Sequence, residues 1–332
     1  MEPRGDLTPL VRIDVGGTWV RIDSDGALRR TPAPSRINHP DVPAPALVDR
    51  LLDQLVSAAP DTGRVVVSLG AATDDVTGTV RGSGPLWGDW RMDRDLVGEL
   101  RRARPGVEWH VFNDVTCGLA DFAESVAHES PASVGYLTIS SGIGLKIADL
   151  GTRTVKVDDD GLQGEVGHLP AVLPLEQAHL GRLPCECGGS GHLASIGSGP
   201  GIARVAAALG VGRYSTDWFR DALAAGDEEA GTLLATVTRP VAELLRTIWV
   251  TQPWMAVVGI GGGVVEGVGA AYRSALLTHL RDAGGYAAGS PDAWERRVRL
   301  LDRPGVDVLR GAQLLAERSL VVTRAQEVVS TP

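Results

Sequence analysis

Alternation of hydrophobic and polar positions predicts short strands in the first third of the chain. The stretch from Leu10 to Ile22 alternates on both sides of the pair Gly16-Gly17, which predicts two strands joined by a tight glycine turn. The segments that follow are a helix from Pro45 to Ala58 and buried strands from Val65 to Leu69 and from Val107 to Phe112.

The rest of the chain repeats this order of elements. A helical pattern from Val115 to Ser125 precedes a strand from Gly135 to Ile139, which enters a second glycine turn at 141–144. The later predictions are helices over 202–209, 218–249 and 312–319, a strand over 256–260 that enters Gly261-Gly262-Gly263, and a poorly ordered tail from Arg324 onward.

Two strand-glycine-strand units, one in each half of the chain, indicate an ancient duplication. The boundary is expected near Asp114 to Glu124. We predict a small α/β lobe at 1–115, with a C-terminal helix at about 305–325 packing back on it. A large α/β lobe is predicted at 116–304. A chain of 332 residues is long enough for two such lobes, each with its own core.

The amino-acid composition argues against several classes of function. The net charge of -9 argues against a nucleic-acid partner, because phosphate backbones are bound mainly by clustered Lys and Arg. Lys146 and Lys156 are the only lysines, so a phosphate loop that ends in Gly-Lys is excluded. No apolar run reaches the roughly 20 residues of a membrane span, and the N-terminus does not resemble a signal peptide. A cytoplasmic protein is therefore expected, without a membrane partner.

The first glycine turn is a candidate phosphate-binding site. Gly16 and Gly17 allow backbone N–H groups to approach phosphate oxygens, Thr18 adds a hydroxyl, and Asp14 can hold water bound to magnesium. The alternative is a simple hairpin turn. Two later glycine turns could add amides, although each could also be an ordinary turn. Their candidate residues are Ser141, Gly142 and Gly144, and then Gly261, Gly262 and Gly263.

Asn113 and Asp114 lie where a buried strand ends and a helix begins, a position that holds a polar side chain firmly. We predict that Asp114 is the general base, because kinases often use an aspartate to accept the proton of the attacking hydroxyl. The alternative is that Asn113 or Asp114 caps the helix.

Cysteine and histidine residues in a glycine-rich segment predict a zinc site. Cys185 and Cys187 are followed by His192, and His168 lies upstream in Gly164-Glu165-Val166-Gly167-His168. Two thiolates and two imidazoles can bind Zn²⁺ tetrahedrally, with no position left for a reactive water, so the ion would be structural. Glu165 then becomes a candidate acceptor for substrate hydroxyls. The alternatives are two reduced thiols with unrelated histidines, His179 as the fourth ligand, and Glu165 as an ordinary surface residue.

Taken in order, these motifs resemble the ROK family of repressors, open reading frames and kinases, over nearly the whole chain. The segment with Glu165 and His168, followed by Cys185-Glu186-Cys187-Gly188, is specific to that family. The resemblance implies a two-lobed actin/hexokinase-like (ribonuclease H-like) duplicated fold, with the nucleotide in the interdomain cleft. It also implies ATP and Mg²⁺ as cofactors and a homodimer or homotetramer.

The resemblance further implies which residues contact the sugar. These are Asn113, Asp114, Glu165 and His168, so that His168 would serve both zinc and substrate. The segment from Gly84 to Trp90 resembles a loop that leads into the sugar pocket, and Trp87 could stack on the ring. The alternative is that this tryptophan belongs to the core.

Three departures from the family pattern affect these expectations. His192 replaces the third zinc cysteine, and the spacer between His168 and Cys185 is longer than usual. Ala194 stands where sugar kinases of the family have a glutamate that accepts hydrogen bonds at the anomeric end of a hexose. A lost charge-assisted hydrogen bond is worth roughly 1.5 to 3 kcal/mol, or about one to two orders of magnitude in preference.

We therefore expect phosphorylation of a primary hydroxyl, either the 6-hydroxyl of a hexose or the 7-hydroxyl of a seven-carbon cyclitol of the valienone or valiolone type. Ala194 favours the cyclitol. The alternatives are an ordinary glucokinase, a sugar-responsive repressor and a non-catalytic sugar-binding protein. Only thirteen residues precede Asp14, so we expect no DNA-binding domain there. Ser140-Ser141 replaces the family's Gly-Thr, which makes the non-catalytic alternative conceivable.

Overall fold

A computed structural model describes residues 9–282, 290–302 and 305–324 of the chain. The strands are β1 (Leu10–Val15), β2 (Trp19–Ser24), β3 (Ala27–Pro32), β4 (Gly63–Leu69), β5 (Ala72–Asp74), β6 (Thr79–Gly82), β7 (Arg91–Asp95), β8 (Val107–Asn113), β9 (Ser133–Ile139), β10 (Ile143–Asp149), β11 (Thr154–Val157), β12 (Val257–Gly261), β13 (Val298–Leu300) and β14 (Val321–Arg324). The helices are α1 (Ala44–Ala58), α2 (Gly84–Trp87), α3 (Leu96–Ala103), α4 (Asp114–Val126), α5 (Leu193–Gly197), α6 (Gly199–Ala208), α7 (Thr216–Ala224), α8 (Glu228–Thr251), α9 (Gly263–Val268), α10 (Ala270–Arg281), α11 (Pro291–Arg297) and α12 (Val308–Ala316).

The chain divides into two compact units. Unit 1 contains Met1–Asp121, Arg153–Gln163 and Asp307–Pro332, and unit 2 contains Phe122–Thr152 and Gly164–Val306. The segment Arg153–Gln163 thus groups with unit 1, whereas the sequence placed it in the second lobe. Its strand β11 pairs in parallel with β14 of the same unit, which accounts for the grouping.

Unit 1 is built on a sheet with the strand order β3-β2-β1-β4-β8. The hairpin β1-β2 is antiparallel, and β1, β4 and β8 run parallel. Valine-rich β4 is almost completely buried, as expected of a strand covered on both faces. Helix α1 contributes leucines to this core, and α12 packs against β1 and β4. A separate three-stranded sheet, β5-β6-β7, is antiparallel.

Unit 2 repeats the central part of this arrangement. Its hairpin β9-β10 is antiparallel, and β12 runs parallel to β9 on one side and to β13 on the other. The order β10-β9-β12-β13 therefore matches β2-β1-β4-β8 of unit 1. The predicted α/β fold with a strand-glycine-strand start in each half is confirmed. A second core contains buried residues of this sheet and of the helices, many of them from α8.

Two predicted helices have different limits in the structure. The segment 218–249 forms two helices, because Gly226 adopts φ +73° and Asp227 caps the start of α8. The C-terminal helix ends at Ala316 instead of 319, just before Arg318 at φ +63°. The tail was predicted to start at Arg324, but that residue ends β14, and 325–332 lie outside the described residues.

Across the described parts of the chain, none of the helices is both long and apolar enough to cross a bilayer.

Candidate active site and metal centre

The turn between β1 and β2 places Asp14 at the end of a buried strand. The residue is 8% exposed, and its carboxylate accepts a hydrogen bond from Ser68 Oγ at 2.9 Å. Its other oxygen accepts from Arg21 Nε at 2.9 Å and forms an ion pair with Nη2 of the same residue. Arg21 lies directly opposite Asp14 in the hairpin register, so the pairing could have been read from the predicted hairpin. The role of Asp14 toward magnesium stays a prediction.

The glycine pair in this turn has a packing role. Gly16 N–H donates to Trp19 O at 3.0 Å and closes the turn. A Cβ on Gly17 would lie 2.9 Å from both Ile37 Cδ1 and Pro85 Cβ, so a larger residue here would force these neighbours to shift. Thr18 is exposed, which leaves its hydroxyl accessible to a ligand.

Asn113 and Asp114 occupy the predicted junction, since β8 ends at Asn113 and α4 begins at Asp114. Asn113 is buried and caps the helix, its Oδ1 accepting from the N–H groups of Val115 and Thr116 at 3.0 and 3.3 Å. Its Nδ2 donates to Ala71 O at 2.9 Å. Asn113 therefore caps the helix. The half-buried Asp114, whose Oδ1 also accepts from Val115 N–H at 3.0 Å, remains the candidate base.

Asp75 is a residue that the sequence analysis missed. It is 4% exposed and accepts from Asn113 N–H at 2.5 Å and from the Thr116 hydroxyl at 2.6 Å. Burial raises the pKa of the nearby Cys117 thiol well above its usual range, and the charges of Asp75 and Asp114 raise it further. Two acidic groups therefore lie around the start of α4. The adjacent pair Asp74-Asp75 after a buried strand was the available sequence signal.

The two glycine turns of unit 2 lie side by side, because Gly261 at the end of β12 pairs with Thr138 of β9. Gly262 has φ +97°, and a Cβ there would lie 2.7 Å from Ile139 O. Nothing lies within 4 Å of a Cβ on Gly142, so that turn is open. Unit 2 thus brings the predicted nucleotide-binding residues together, namely Ser141, Gly142, Gly144, Gly261, Gly262 and Gly263. Their role stays a prediction.

The segment from Gly164 to His168 is fixed against β10. Gly164 has φ +90°, its carbonyl accepts from Leu145 N–H at 2.8 Å, and a Cβ on it would collide with Leu145 O. A Cβ on Gly167 would collide with the carbonyl of Ile143. His168 Nε2 lies 3.7 Å from Glu165 Oε2. The residues directly before Glu165 and His168 therefore lie too close to β10 for any side chain larger than that of glycine.

The four predicted zinc ligands lie together. One ligand atom each from His168, Cys185, Cys187 and His192 falls within 4.8 Å of the others. Cys185 Sγ is 3.8 Å from His168 Nδ1, and Cys187 Sγ is 3.3 Å from His192 Nδ1. Tetrahedral zinc with ordinary bond lengths separates sulfur and nitrogen ligands by about 3.6 Å. The donor set and its spacing therefore fit Zn²⁺.

Backbone hydrogen bonds shape the loop that carries the two thiols. Cys185 N–H donates to Gly189 O at 2.8 Å, and Gly188 N–H donates back to Cys185 O at 3.0 Å. Glu186, between the cysteines, forms an ion pair with Arg204 of α6. The loop is thus held to unit 2 through its backbone and through this pair.

His179 was the alternative zinc ligand, and Trp87 was the predicted stacking residue. His179 is exposed in the 3₁₀ turn Leu175–Arg182 and is not part of the four-residue cluster within the described chain. Burial, with a smaller contribution from His168, lowers the pKa of His192, which favours the neutral ring that binds metal.

Trp87 is 2% exposed in the core of unit 1, so the expected ring stacking is corrected to a core role.

Comparison with known proteins identifies the family. The sequence profile described as "ROK family" matches residues 10–286.

This chain belongs to the ROK family.

Among ROK relatives, a 2-epi-5-epi-valiolone 7-kinase of Actinoplanes sp. is 39% identical, and the match covers 93% of this chain and 92% of the relative. A C(7)-cyclitol 7-kinase of Streptomyces hygroscopicus subsp. jinggangensis is 28% identical, covering 76% and 78%. The structure is similar to that of a ROK glucokinase from Streptomyces griseus in complex with glucose and AMPPNP, with TM-score 0.67, 22% identity and coverage of 93% and 99%. The predicted family and the two-lobed actin-like fold class are confirmed.

Proposed function

We propose that this ROK protein is an ATP-dependent kinase that phosphorylates the 7-hydroxyl of a seven-carbon cyclitol. The broader prediction of a sugar or cyclitol kinase is confirmed by the relatives, which are named as kinases of such substrates. Three observations support the narrower substrate class. They are the 39% identity to a valiolone-type kinase, the extension of that match over nearly the whole length of both chains, and the alanine at position 194.

Within this chain, Ala194 is the residue that supports a cyclitol over a hexose as the substrate. It is buried in α5, which packs against the turn Val166–His168. A methyl group there offers no acceptor for a hydroxyl at the anomeric position of a hexose. A carbocyclic substrate has no anomeric centre, so it does not need this acceptor.

The proposed chemistry is transfer of the γ-phosphoryl group to a primary alcohol. Asp114 accepts the proton of the hydroxyl, whose oxygen forms the new bond to phosphorus while the bond to the ADP oxygen breaks. Glu165 and the His168 ring bind hydroxyls of the substrate. Backbone amides of the turns at Gly16, Gly142 and Gly262 are proposed to bind the phosphates. Asp14 is proposed to hold water of Mg²⁺, an ion that neutralises phosphate charge when bound.

A structural Zn²⁺ is part of the proposal. His168, Cys185, Cys187 and His192 would hold it, and four protein ligands leave no position for catalysis. Bound there, the ion would fix the orientation of the His168 ring, whose Nε2 lies 3.7 Å from Glu165 Oε2. A homodimer or homotetramer, implied by the family resemblance, remains a prediction.

The test is a coupled ATP-consumption assay with glucose, N-acetylmannosamine and 2-epi-5-epi-valiolone, with the phosphorylated position assigned by phosphorus NMR. We expect kcat/KM for the cyclitol to exceed that for glucose by about tenfold or more. Asp114→Asn should abolish transfer while the circular dichroism spectrum is unchanged. Faster phosphorylation of glucose would contradict the cyclitol assignment, and an active Asp114→Asn enzyme would remove the proposed base.

A further inference from the structure

Two polar side chains hold the carbonyl groups of the first glycine turn. Ser35 Oγ donates to Gly17 O at 2.5 Å, and Asn38 Nδ2 donates to Thr18 O at 2.8 Å. Both residues follow β3 in the chain, and Ser35 is completely buried. We call Ser35 and Asn38 the carbonyl clamp. Neither was among the site residues predicted from the sequence.

The carbonyl clamp is itself fixed within unit 1. Asn38 Nδ2 also donates to Ala33 O at 2.9 Å, and Asn38 N–H donates to Ser35 Oγ at 3.3 Å. Between the two residues, Arg36 N–H donates to Leu86 O of α2 at 2.7 Å. Backbone and side-chain hydrogen bonds thus define where the two donors of the clamp lie.

The N–H groups of the same turn are arranged differently from its carbonyls. Gly16 N–H donates to Trp19 O, whereas in the part of the chain that the structure describes the N–H groups of Gly17 and Thr18 have no protein acceptor. Gly17 is buried, and unpaired N–H groups of buried backbone are rare in folded proteins. Successive free N–H groups form a concave site for an anion. The turn therefore offers two adjacent donors to a ligand.

The planarity of the peptide bond connects the carbonyl clamp to these donors. Gly17 C=O and Thr18 N–H belong to one peptide unit, and in a trans unit the two bonds point in opposite directions. Because Ser35 binds the carbonyl, Thr18 N–H points away from the buried Ser35. Asn38 binds the carbonyl of the next peptide unit. Both peptide units that flank Thr18 are therefore held in place.

We propose that Ser35 and Asn38 are positioning residues for the nucleotide. They orient Thr18 N–H toward a phosphate oxygen and do not contact the phosphate themselves. A phosphate group, whose oxygens accept hydrogen bonds, matches two backbone donors, and the exposed Thr18 hydroxyl adds a third. Donors that are already oriented lower the cost of binding. This inference rests on the proposed kinase function and adds two residues to its ATP site.

The test measures the dissociation constant for AMPPNP with Mg²⁺ by calorimetry, and KM for ATP and for 2-epi-5-epi-valiolone. Ser35→Ala removes the hydroxyl with little change in volume, and Asn38→Ala removes the amide. We expect each variant to bind AMPPNP about three- to tenfold more weakly, as for loss of neutral hydrogen bonds, with an equal rise in KM for ATP. KM for the cyclitol should change less than about twofold.

Gln54→Ala is the matched control. Gln54 Nε2 donates to Thr31 Oγ1 at 2.5 Å, so this variant loses a side-chain hydrogen bond to β3 that does not involve the turn. It should bind AMPPNP as the wild type does. Unchanged AMPPNP affinity in the clamp variants, an equal loss in Gln54→Ala, or an equal rise in KM for the cyclitol would each overturn the inference. If Ser35→Ala folds poorly by circular dichroism, Asn38→Ala at its half-buried position decides the result.

Failure of the proposed function has a different signature. A wild type that binds AMPPNP but phosphorylates neither glucose nor the cyclitol would contradict the kinase, while weaker AMPPNP binding by the clamp variants would still support the clamp. A wild type that does not bind AMPPNP would overturn both.

Discussion

The backbone N–H of Asn113 donates a hydrogen bond to the buried carboxylate of Asp75, at 2.5 Å from Oδ1. The other carboxylate oxygen accepts from the Thr116 hydroxyl. Asp75 therefore anchors the first turn of α4, the helix that starts with the proposed base Asp114. This anchor lies 38 residues earlier in the chain than Asn113.

Asp75→Ala should destabilise the protein by about 1–3 kcal/mol, because it leaves two buried donors without an acceptor. Asp75→Asn keeps an acceptor and should cost less. The free energy of unfolding from urea titrations checks both variants. If Asp75→Ala unfolds at the same urea concentration as the wild type, the anchor has no energetic importance.

Zinc should be present at about one ion per chain, and Cys187→Ser should lose it. Because the ion would fix the loop that carries the ligands, we expect the zinc-free protein to melt at a lower temperature and to have lower activity. Elemental analysis of the purified protein gives the metal content. Cys117→Ala is the matched control, since that cysteine lies outside the cluster. Loss of zinc from His179→Ala, with retention in His168→Ala, would reverse the ligand assignment.

Gly164→Ala should destabilise unit 2 by roughly 2 kcal/mol or more, because φ is +90° there and a Cβ would meet Leu145 O. Gly142→Ala is the control, since open space surrounds that position. It should leave the melting temperature within about 2 °C of the wild type. If Gly142 approaches a phosphate, this control should also raise KM for ATP. Equal stability of the two variants would contradict the geometry.

The cross-strand pair of Arg64 and Glu108 should make stability depend on pH. The hydrogen bond from Arg64 Nε at 2.9 Å, assisted by His110, lowers the pKa of Glu108. A carboxyl whose pKa falls on folding stabilises the protein above its unfolded pKa, near 4.3, and loses this contribution as pH falls through the folded value. Glu108→Gln should therefore melt below the wild type at pH 7, and the difference should shrink toward pH 3. A constant difference across that range would contradict this explanation.

The sequence patterns predicted the local features of this protein. The glycine turns, the junction at Asn113 and Asp114, and the cysteine-histidine set depend on residues close in the chain or on characteristic spacing, and the structure brings each of these groups together. Asp75 was missed because its partners are distant in sequence. The stacking role of Trp87 was predicted wrongly because the sequence alone does not show whether a tryptophan ring faces the core or a ligand.

The break between α7 and α8 shows a different kind of failure. Gly226 followed by Asp227 combines a residue that ends helices with one that starts them, so the signal was in the sequence. The predicted continuous helix relied on hydrophobic periodicity alone. Periodicity reports which face is buried and does not report where the axis changes direction.

Unit 1 contains α12, although the whole of unit 2 separates this helix from β1 and β4 along the chain. During synthesis the ribosome releases the first strands long before the helix that covers them. The apolar surface of β1 and β4 that α12 covers therefore stays exposed until nearly three hundred residues have been made. Nascent chains of this protein are accordingly expected to need chaperone protection, and truncation before α12 should yield insoluble product.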